Sequence, residues 1–301
     1  MPILTRRRFL SLTAVAALPG PARAEGITQW HGTALGAEAA LYLDHPNAAA
    51  IIARAVAEIA RLEAIFSLYR TTSALSVLNA TGRLDGPPFE LLECLALCAA
   101  VHGATQGMFD PTVQPLWQLY ATRYAAGQAP EAAEIAATLA HVGWTAVRFD
   151  SAAVTLPAGM ALTLNGVAQG FIADKVAQML AEEGLTDILI NTGEFRALGQ
   201  MPHAGGWPVD LASGGHVSLS ARALATSAPL GTVFDAAGRI GHILNPKTGL
   251  PATSRWRSVS ISAPSAGLAD ALSTAACLMP DRQAVLATVS RFAQTRIEAL
   301  A

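Results

Sequence analysis

The segment that organises the chain lies between residues 241 and 274. It begins with GHILNPKTG at residues 241–249, where an Asn-Pro and a Thr-Gly pair force the backbone to bend. The alternating run SVSISA at residues 258–263 then predicts a strand, and GLADALST at residues 267–274 predicts the helix that follows it. The segment therefore combines a rigid loop, a strand and a helix in close succession.

Two kinds of reactive group lie in this segment. His242 can exchange a proton near neutral pH, and a histidine on so rigid a loop is a candidate catalyst. On a helix, Asp270 and Thr274 stand one turn apart on one face, so a carboxylate and a hydroxyl could hold one hard cation. Together, the histidine and the two oxygen ligands suggest phosphate chemistry. The alternatives are that Asp270 caps the helix and that Thr274 is a packed helix residue.

The composition is that of a well-packed globular protein. Of the 301 residues, 52% are hydrophobic and 14% are charged, which excludes extensive disorder and is enough for a large core. Because the chain shows neither a linker-like segment nor an internal repeat, we predict one domain. Cys94, Cys98 and Cys277 lie among Leu and Ala and are predicted to be core residues, since an odd number argues against a disulfide framework.

The first 24 residues have the order of an export signal. Basic residues in TRRRFL (5–10) precede an apolar run at 12–18 and the small-x-small sequence Ala22-Arg23-Ala24. This order predicts a twin-arginine signal peptide over residues 1–24 and a periplasmic mature chain over residues 25–301. A basic arm followed by a short core helix is the alternative. The apolar run is too short to remain as a membrane anchor.

Removal of the signal peptide would make the chain more acidic. The whole chain has 20 basic and 22 acidic residues, a net charge of −2 with histidine neutral. Residues 1–24 contain four arginines and no acidic residue, so the mature chain has a net charge of −6. With no basic patch in the sequence, nucleic-acid binding is not expected.

Apolar periodicity predicts most of the other elements. It indicates a strand at residues 36–43 and helices at 48–66, 89–103 and 132–139. Pro111 and Pro115 argue against a regular helix between residues 107 and 117. The remaining predictions are short strands at 146–149, 153–156, 161–164 and 187–191, a helix at 171–183, and a C-terminal helix at 282–300.

Three further features have both a functional and a structural interpretation. The Gly-rich turn at residues 165–170 would let the backbone approach an anion at a helix N-terminus, or it is only a tight turn. Thr226 and Ser227 could place two hydroxyls near a phosphate, or they are ordinary residues at a strand end. Asp110 would be presented by a stiff loop, or it caps the turn that follows it.

Five segments in this order resemble the ApbE family of FAD:protein FMN transferases. They are FSLY at residues 66–69 with Ser73, Ser76 and Asn79, then residues 107–116, 164–170 and 241–249, and finally Ala269-Asp270 with Thr274. The matching segments lie between residues 36 and 279, nearly the whole mature chain. The resemblance implies a single α+β domain of the ApbE type, related to the T-fold, with mixed, largely antiparallel sheets and packed helices.

The resemblance also implies an activity. Proteins of this family bind FAD and Mg²⁺, split the pyrophosphate, and attach FMN through a phosphoester to a Thr or Ser of another protein, releasing AMP. Mg²⁺ prefers oxygen ligands and would neutralise charge that develops on the pyrophosphate. A histidine that takes the proton of the incoming hydroxyl typically contributes about 10²–10⁴-fold to the rate.

Roles for individual residues follow from the matching positions. His242 corresponds to the proposed catalytic base, and the metal would be held by the side chains of Asp270 and Thr274 with the carbonyl of Gly166. The positions that correspond to cofactor contacts are Leu35, Tyr69, Met108, Phe109, Asp110, Gln169 and Ile243.

The chain departs from the family pattern at three places. Thr163 stands where the family often has Asp, Gln169 where it has Lys or Glu, and Gly193-Glu194 replaces a Gly-Gly-Asp/Glu loop. These departures, the run TLNGVAQG at residues 163–170 and the signal peptide resemble the NosX branch, which is associated with nitrous oxide reductase. The acceptor implied is the periplasmic flavin-binding domain of the membrane protein NosR. The departures also leave two alternatives, an FAD pyrophosphatase and a periplasmic FAD-binding carrier without transfer activity.

Overall fold

A computed structural model describes residues 27–202, 205–253 and 255–301. The predicted signal peptide, over residues 1–24, lies outside these ranges. Within them, no helix has both the length and the apolar character that crossing a bilayer requires.

The described ranges contain strands and helices throughout their length. The strands are β1 (Thr28–Ala34), β2 (Ala37–Leu43), β3 (Arg83–Asp85), β4 (Arg148–Phe149), β5 (Ala153–Thr155), β6 (Ile188–Asn191), β7 (Phe195–Leu198), β8 (Trp207–Asp210), β9 (His216–Leu219), β10 (Ala223–Ser227), β11 (Val259–Ala263) and β12 (Arg296–Leu300). The helices are α1 (Ala48–Phe66), α2 (Ala74–Thr81), α3 (Phe89–Ala104), α4 (Gln114–Ala125), α5 (Ala132–Leu139), α6 (Ala168–Glu182), α7 (Ala266–Ala276) and α8 (Arg282–Val289).

One large sheet forms the centre of the fold. Its seven strands have the order β1-β2-β6-β7-β10-β11-β12, and each neighbouring pair is antiparallel. Two small antiparallel sheets, β3-β5-β4 and β8-β9, lie beside it. Helices α6 and α7 pack against each other, and α7 also packs on β10 and β11. This arrangement is the predicted α+β architecture.

The contact between α6 and α7 depends on one glycine and one aspartate. A Cβ atom on Gly170 would lie 2.3 Å from the carbonyl oxygen of Ala266, so only glycine permits the helices to approach this closely. Asp174 of α6 accepts hydrogen bonds from the N–H groups of Ala266 and Gly267, at 2.8 and 2.9 Å. Because these groups are unpaired donors at the start of a helix, Asp174 fixes where α7 begins.

The predicted cysteine environment is confirmed. Cys94, Cys98 and Cys277 are all buried and all have free thiols. Burial raises the pKa of Cys277 to about 12, so its thiol stays protonated at neutral pH. These cysteines act as small apolar core residues.

A second, smaller apolar cluster supports the histidine loop. It contains Leu116 and Tyr120 of α4 together with Leu244, and Phe234 and Ile240 pack against it. Leu244, in the loop that bears His242, therefore packs on α4, whereas Ile243 beside it packs in the main core.

The structure corrects the proline-based prediction for residues 107–117. Pro111 lies in a short 3-10 turn, and Pro115 lies in the first turn of α4, which runs on to Ala125. Proline is tolerated there because the first N–H groups of a helix have no intrahelical acceptor. The prolines start this helix rather than prevent it.

Two other predictions are wrong. The C-terminal helix ends at Val289, and β12 follows as an edge strand that pairs with β11. Residues 161–164 do not form a strand, because the main chain of Leu162 is bonded instead to the side chain of Asn79, at 2.7 and 2.8 Å. Helix α6 follows this irregular segment. It begins at Ala168, three residues earlier than predicted.

Candidate active site

Helix α7 brings together the three residues predicted to hold a metal. The side chain of Asp270 is buried, and its carboxyl group accepts a hydrogen bond from the N–H of Gly170. Its Oδ2 atom has no hydrogen-bond partner among the described residues. Thr274 lies one turn further along, and a Cβ on Gly166 would be 3.0 Å from its Oγ1 atom. The absence of a side chain at Gly166 lets the 165–167 loop approach Thr274 this closely.

A second buried carboxyl group, which the sequence did not single out as a site residue, lies near Asp270. Glu194 is 7% exposed, and its Oε2 atom accepts a hydrogen bond from the N–H of Thr226 at 3.1 Å. Burial and the negative charge of Asp270 raise the pKa of Glu194 well above its usual range. Burial also raises the pKa of Asp270. Two such carboxyl groups require either a proton or a cation between them.

Hydroxyl groups surround Thr274. The Oγ atom of Ser227 is 2.7 Å from that of Ser273 and 3.2 Å from Oγ1 of Thr274. Ser273 also donates to the carbonyl oxygen of Asp270 at 3.0 Å. Thr226 differs from its neighbour, because its hydroxyl is bonded to Ser260 at 2.8 Å. Of the two hydroxyls considered from the sequence, only that of Ser227 lies next to Thr274.

These residues fit a hard divalent cation such as Mg²⁺. The described residues contain no cluster of three or more His, Cys, Asp or Glu side chains that could hold a metal. Mg²⁺ does not need such a cluster, since it commonly takes one or two carboxylates and completes its shell with water and substrate phosphates. The unpartnered Oδ2 of Asp270, beside the hydroxyl of Thr274, is the observation that favours this fit.

Both the main chain and the ring of His242 are hydrogen-bonded to the carbonyl oxygen of Thr232. Its N–H donates to the carbonyl oxygen of Thr232 at 3.1 Å, and its Nδ1 atom is 3.0 Å from the same oxygen. A carbonyl only accepts, so Nδ1 carries the hydrogen of the neutral ring and Nε2 is the atom able to receive a proton. Burial lowers the pKa of His242, although the carbonyls of Thr232 and Pro229 favour the protonated ring. The ring is therefore neutral at pH 7.

The loop at residues 107–110 lies next to the histidine loop. A Cβ on Gly107 would be 3.9 Å from the Cε atom of Lys247. Met108 packs against the core, and Phe109 and Ile243 are buried within it. The sequence predicts cofactor contacts for these three residues, and the structure places them around the junction of the two loops.

Both carboxylate oxygens of Asp110 accept hydrogen bonds from other residues of the protein. Oδ1 accepts hydrogen bonds from the N–H and the hydroxyl of Thr112, at 2.9 and 2.5 Å, and Oδ2 accepts one from the N–H of Trp144 at 3.1 Å. This is the capping arrangement named as the alternative for Asp110. Its contact with a cofactor stays a prediction.

Two departures from the family pattern are neighbours in space. A Cβ on Gly193 would lie 2.8 Å from Nε2 of Gln169, so the amide side chain packs against the shortened loop. The carbonyl oxygen of Gln169 also accepts a hydrogen bond from the hydroxyl of Thr192 at 2.7 Å. Thr163, the third departure, donates its N–H to the carbonyl oxygen of Pro111 at 2.8 Å. Gln169 and the loop beside it therefore form one contact.

Leu35 and Tyr69 lie on two segments that meet at the end of α1. Leu35 is half-buried in the turn between β1 and β2, and Tyr69 is 60% exposed in the loop that follows α1. Glu63 contacts both segments. Glu63 thus links the turn that contains Leu35 to the loop that contains Tyr69, two segments that are 34 residues apart in the sequence.

Comparisons with known proteins agree with this arrangement. The ApbE family model matches residues 28–300. The chain is 28% identical over 229 residues to an FAD:protein FMN transferase of Klebsiella pneumoniae (strain 342), covering 70% of each protein. It is 29% identical over 248 residues to one of Treponema pallidum (strain Nichols), covering 71% of this chain and 67% of the relative.

Solved structures have the same fold. The ApbE protein from Thermotoga maritima superposes with a TM-score of 0.81 at 27% identity, covering 90% of this chain and 94% of that one. The apo form of the flavinyl transferase ApbE from Pseudomonas stutzeri superposes with a TM-score of 0.78 at 22% identity, covering 88% of each chain. The predicted fold class, a mixed α+β domain with antiparallel sheets and packed helices, is confirmed.

Proposed function

Because the chain belongs to the ApbE family, we propose that it is an enzyme that transfers FMN from FAD to a hydroxyl group of a protein acceptor, the activity for which its relatives are named. The observation that carries the proposal is the buried, unpartnered Oδ2 of Asp270 beside the hydroxyls of Thr274 and Ser227. A buried carboxylate is costly when it ionises without a compensating charge, and a cation that also binds a pyrophosphate would remove that cost.

In the proposed reaction, one phosphoester replaces one pyrophosphate bond. The hydroxyl oxygen of an acceptor Thr or Ser bonds to the phosphorus on the flavin side of FAD. The bond from that phosphorus to the bridging oxygen breaks, and AMP leaves with the bridging oxygen. The hydroxyl proton passes to Nε2 of His242, which is neutral at pH 7 because burial lowers its pKa.

The residues around α7 would hold Mg²⁺ in this reaction. Asp270 and Thr274 would supply side-chain oxygens and Gly166 a carbonyl, and Glu194 would add a second negative charge nearby. When bound, Mg²⁺ neutralises negative charge on the pyrophosphate oxygens. Leu35, Tyr69, Met108, Phe109, Gln169 and Ile243 would contact FAD.

We also propose a location and an acceptor. The twin-arginine leader over residues 1–24 supports export to the periplasm. The TLNGVAQG run, the short Gly193-Glu194 loop and that leader resemble the NosX branch, which supports a NosR-like periplasmic flavin domain as the acceptor.

The test is AMP release by the mature chain, residues 25–301. It is incubated with FAD, with and without Mg²⁺, and with and without the acceptor domain. Release that needs both metal and acceptor, with a gain of one FMN unit in the acceptor mass, is the expected result. AMP and free FMN without acceptor would instead identify a pyrophosphatase, and tight FAD binding without AMP would identify a carrier.

A matched pair of variants ties the result to the site. Asp270→Asn is expected to abolish release. Asp281→Asn is the control, because Asp281 caps the exposed start of α8 and Asn is an equally good cap. Full activity of Asp270→Asn would refute the metal site.

A further inference from the structure

The turn between β1 and β2 contains a backbone conformation that is rare for its residue type. Leu35 has a φ angle of +49° and is followed by Gly36 at +85°. A bulky side chain seldom adopts positive φ, and such strain persists only where the surroundings hold it. The two-residue hairpin turn between Ala34 and Ala37 imposes this conformation. The N–H of Leu35 also donates a hydrogen bond of 2.7 Å to Oε1 of Glu63, in the last turn of α1, which ties the turn to that helix.

The other carboxylate oxygen of Glu63 holds the loop that follows α1. Oε2 accepts a hydrogen bond from Nη2 of Arg70 at 2.7 Å. In the same loop, Oγ of Ser67 accepts hydrogen bonds from the N–H groups of Tyr69 and Arg70, at 3.1 and 3.2 Å. The hydroxyl of the buried Ser73 donates in turn to the carbonyl oxygen of Ser67. Tyr69 is therefore exposed on a loop whose backbone is firmly held.

Helix α1 has two acidic residues that form ion pairs, Glu58 and Glu63, and their partners differ. Glu58 bonds to Arg61, a residue of its own helix, and no bond from Glu58 reaches the turn or the loop. Both side chains are 17% exposed, but only that of Glu63 links two segments that are distant in sequence. Hydrogen bonds to an ionised carboxylate are stronger than neutral ones. Glu63 therefore ties the turn that contains Leu35 to Arg70, the residue that follows Tyr69.

Each of the two linked segments has a side chain that can pack against a flat ring. Tyr69 offers an exposed aromatic side chain, and Leu35 a half-buried apolar one. We propose that Glu63 is a positioning residue that fixes the turn with Leu35 and the loop with Tyr69 for contact with the isoalloxazine ring of FAD. The inference rests on the proposed function, and it assigns to Glu63 an effect on FAD affinity rather than on the transfer step.

The test compares Glu63→Ala, Glu63→Gln and Arg70→Ala with the control Glu58→Ala. For each variant, the FAD dissociation constant is measured by flavin fluorescence, and the rate of AMP release is measured at saturating FAD with Mg²⁺ and acceptor. Glu63→Ala is expected to weaken FAD binding about tenfold, since two charge-assisted bonds are lost. The rate at saturation should change less than about threefold, because Glu63 binds neither Asp270 nor His242.

The other variants separate the two bonds. Gln keeps an acceptor for the N–H of Leu35 but loses the ion pair, and Arg70→Ala does the same from the other side. Both are expected to weaken FAD binding about threefold, and Glu58→Ala not at all. Hydrogen exchange of the peptide that contains Leu35 should become faster only in Glu63→Ala.

The outcomes distinguish this inference from the proposed function. Wild-type FAD affinity in Glu63→Ala, in a folded protein, would overturn the role of Glu63 alone. If Glu63→Ala does not fold, unchanged affinity in both Glu63→Gln and Arg70→Ala would overturn it equally. A wild-type chain that binds no FAD would overturn the proposed function and this inference together.

Discussion

Asp270→Asn removes the negative charge of the candidate metal site and keeps the size of the side chain. Asparagine has the size of aspartate, and its carbonyl oxygen can still accept the hydrogen bond from the N–H of Gly170. The variant lacks only the group that ionises. Its effect on the metal-free protein follows from the pKa of Asp270, which burial raises from 3.8 to about 8.

The sign of the effect follows from proton binding. Between about pH 4 and pH 8, the folded metal-free chain retains a proton on Asp270 that the unfolded chain releases. Asp270 therefore lowers the free energy of unfolding of the wild type as the pH rises through this window, and this one group contributes about 1.4 kcal/mol per pH unit. At pH 7 the loss reaches roughly 4 kcal/mol, which the variant avoids. For a chain of this length, that corresponds to roughly 10 °C in Tm.

Thermal unfolding at pH 4.5 and pH 7.5, in EDTA and in Mg²⁺, measures this effect. In EDTA, Asp270→Asn should unfold at a higher temperature than the wild type at pH 7.5, and at nearly the same temperature at pH 4.5. Mg²⁺ should raise the Tm of the wild type and leave that of the variant unchanged. Equal or lower stability of the variant in EDTA at pH 7.5, or a rise in its Tm with Mg²⁺, would refute the reasoning.

Three further substitutions test other parts of the site. His242→Gln should slow single-turnover AMP release by about 10²–10⁴-fold and leave FAD affinity within about twofold; an unchanged rate would exclude His242 as the base. Glu194→Gln keeps an acceptor for the N–H of Thr226 but removes the second buried charge, so calorimetry should show Mg²⁺ binding weakened about tenfold. An unchanged Mg²⁺ affinity would contradict a role for Glu194 in the metal site. Gly170→Ala places a Cβ 2.3 Å from the carbonyl oxygen of Ala266 and should cost about 1–3 kcal/mol in urea unfolding, whereas Gly103→Ala, with open space around it, should cost nothing.

Elements with strong local signals could be predicted from the sequence. Helix α1 begins and ends at the residues that its apolar spacing indicated, and α5 matches residues 132–139. Asp270 and Thr274 belong to the same category, because their separation by one helical turn is a local property of α7. The twin-arginine leader, the NosX-like branch and the NosR-like acceptor stay predictions.

Elements that depend on a partner could not be predicted. Strand β12 has only five residues, and its pairing with β11 decides its conformation. In the sequence, Pro115 argues against a helix, but its position in the first turn of α4 makes it compatible with one. The segment at 161–164 is not a strand because the side chain of Asn79, from α2, takes the backbone bonds of Leu162.

The family resemblance, the helices with regular apolar spacing and the pair on α7 follow from local sequence, since each depends on residues a few positions apart. Which groups complete the site depends instead on tertiary packing. Glu194 comes next to Asp270 only because α7 packs on the sheet that contains β6, β7 and β10, and Glu63 joins Leu35 to the Tyr69 loop only after α1 has docked. Burial then raises the pKa of both carboxyl groups in the Glu194 and Asp270 pair, and burial is a property of the folded chain.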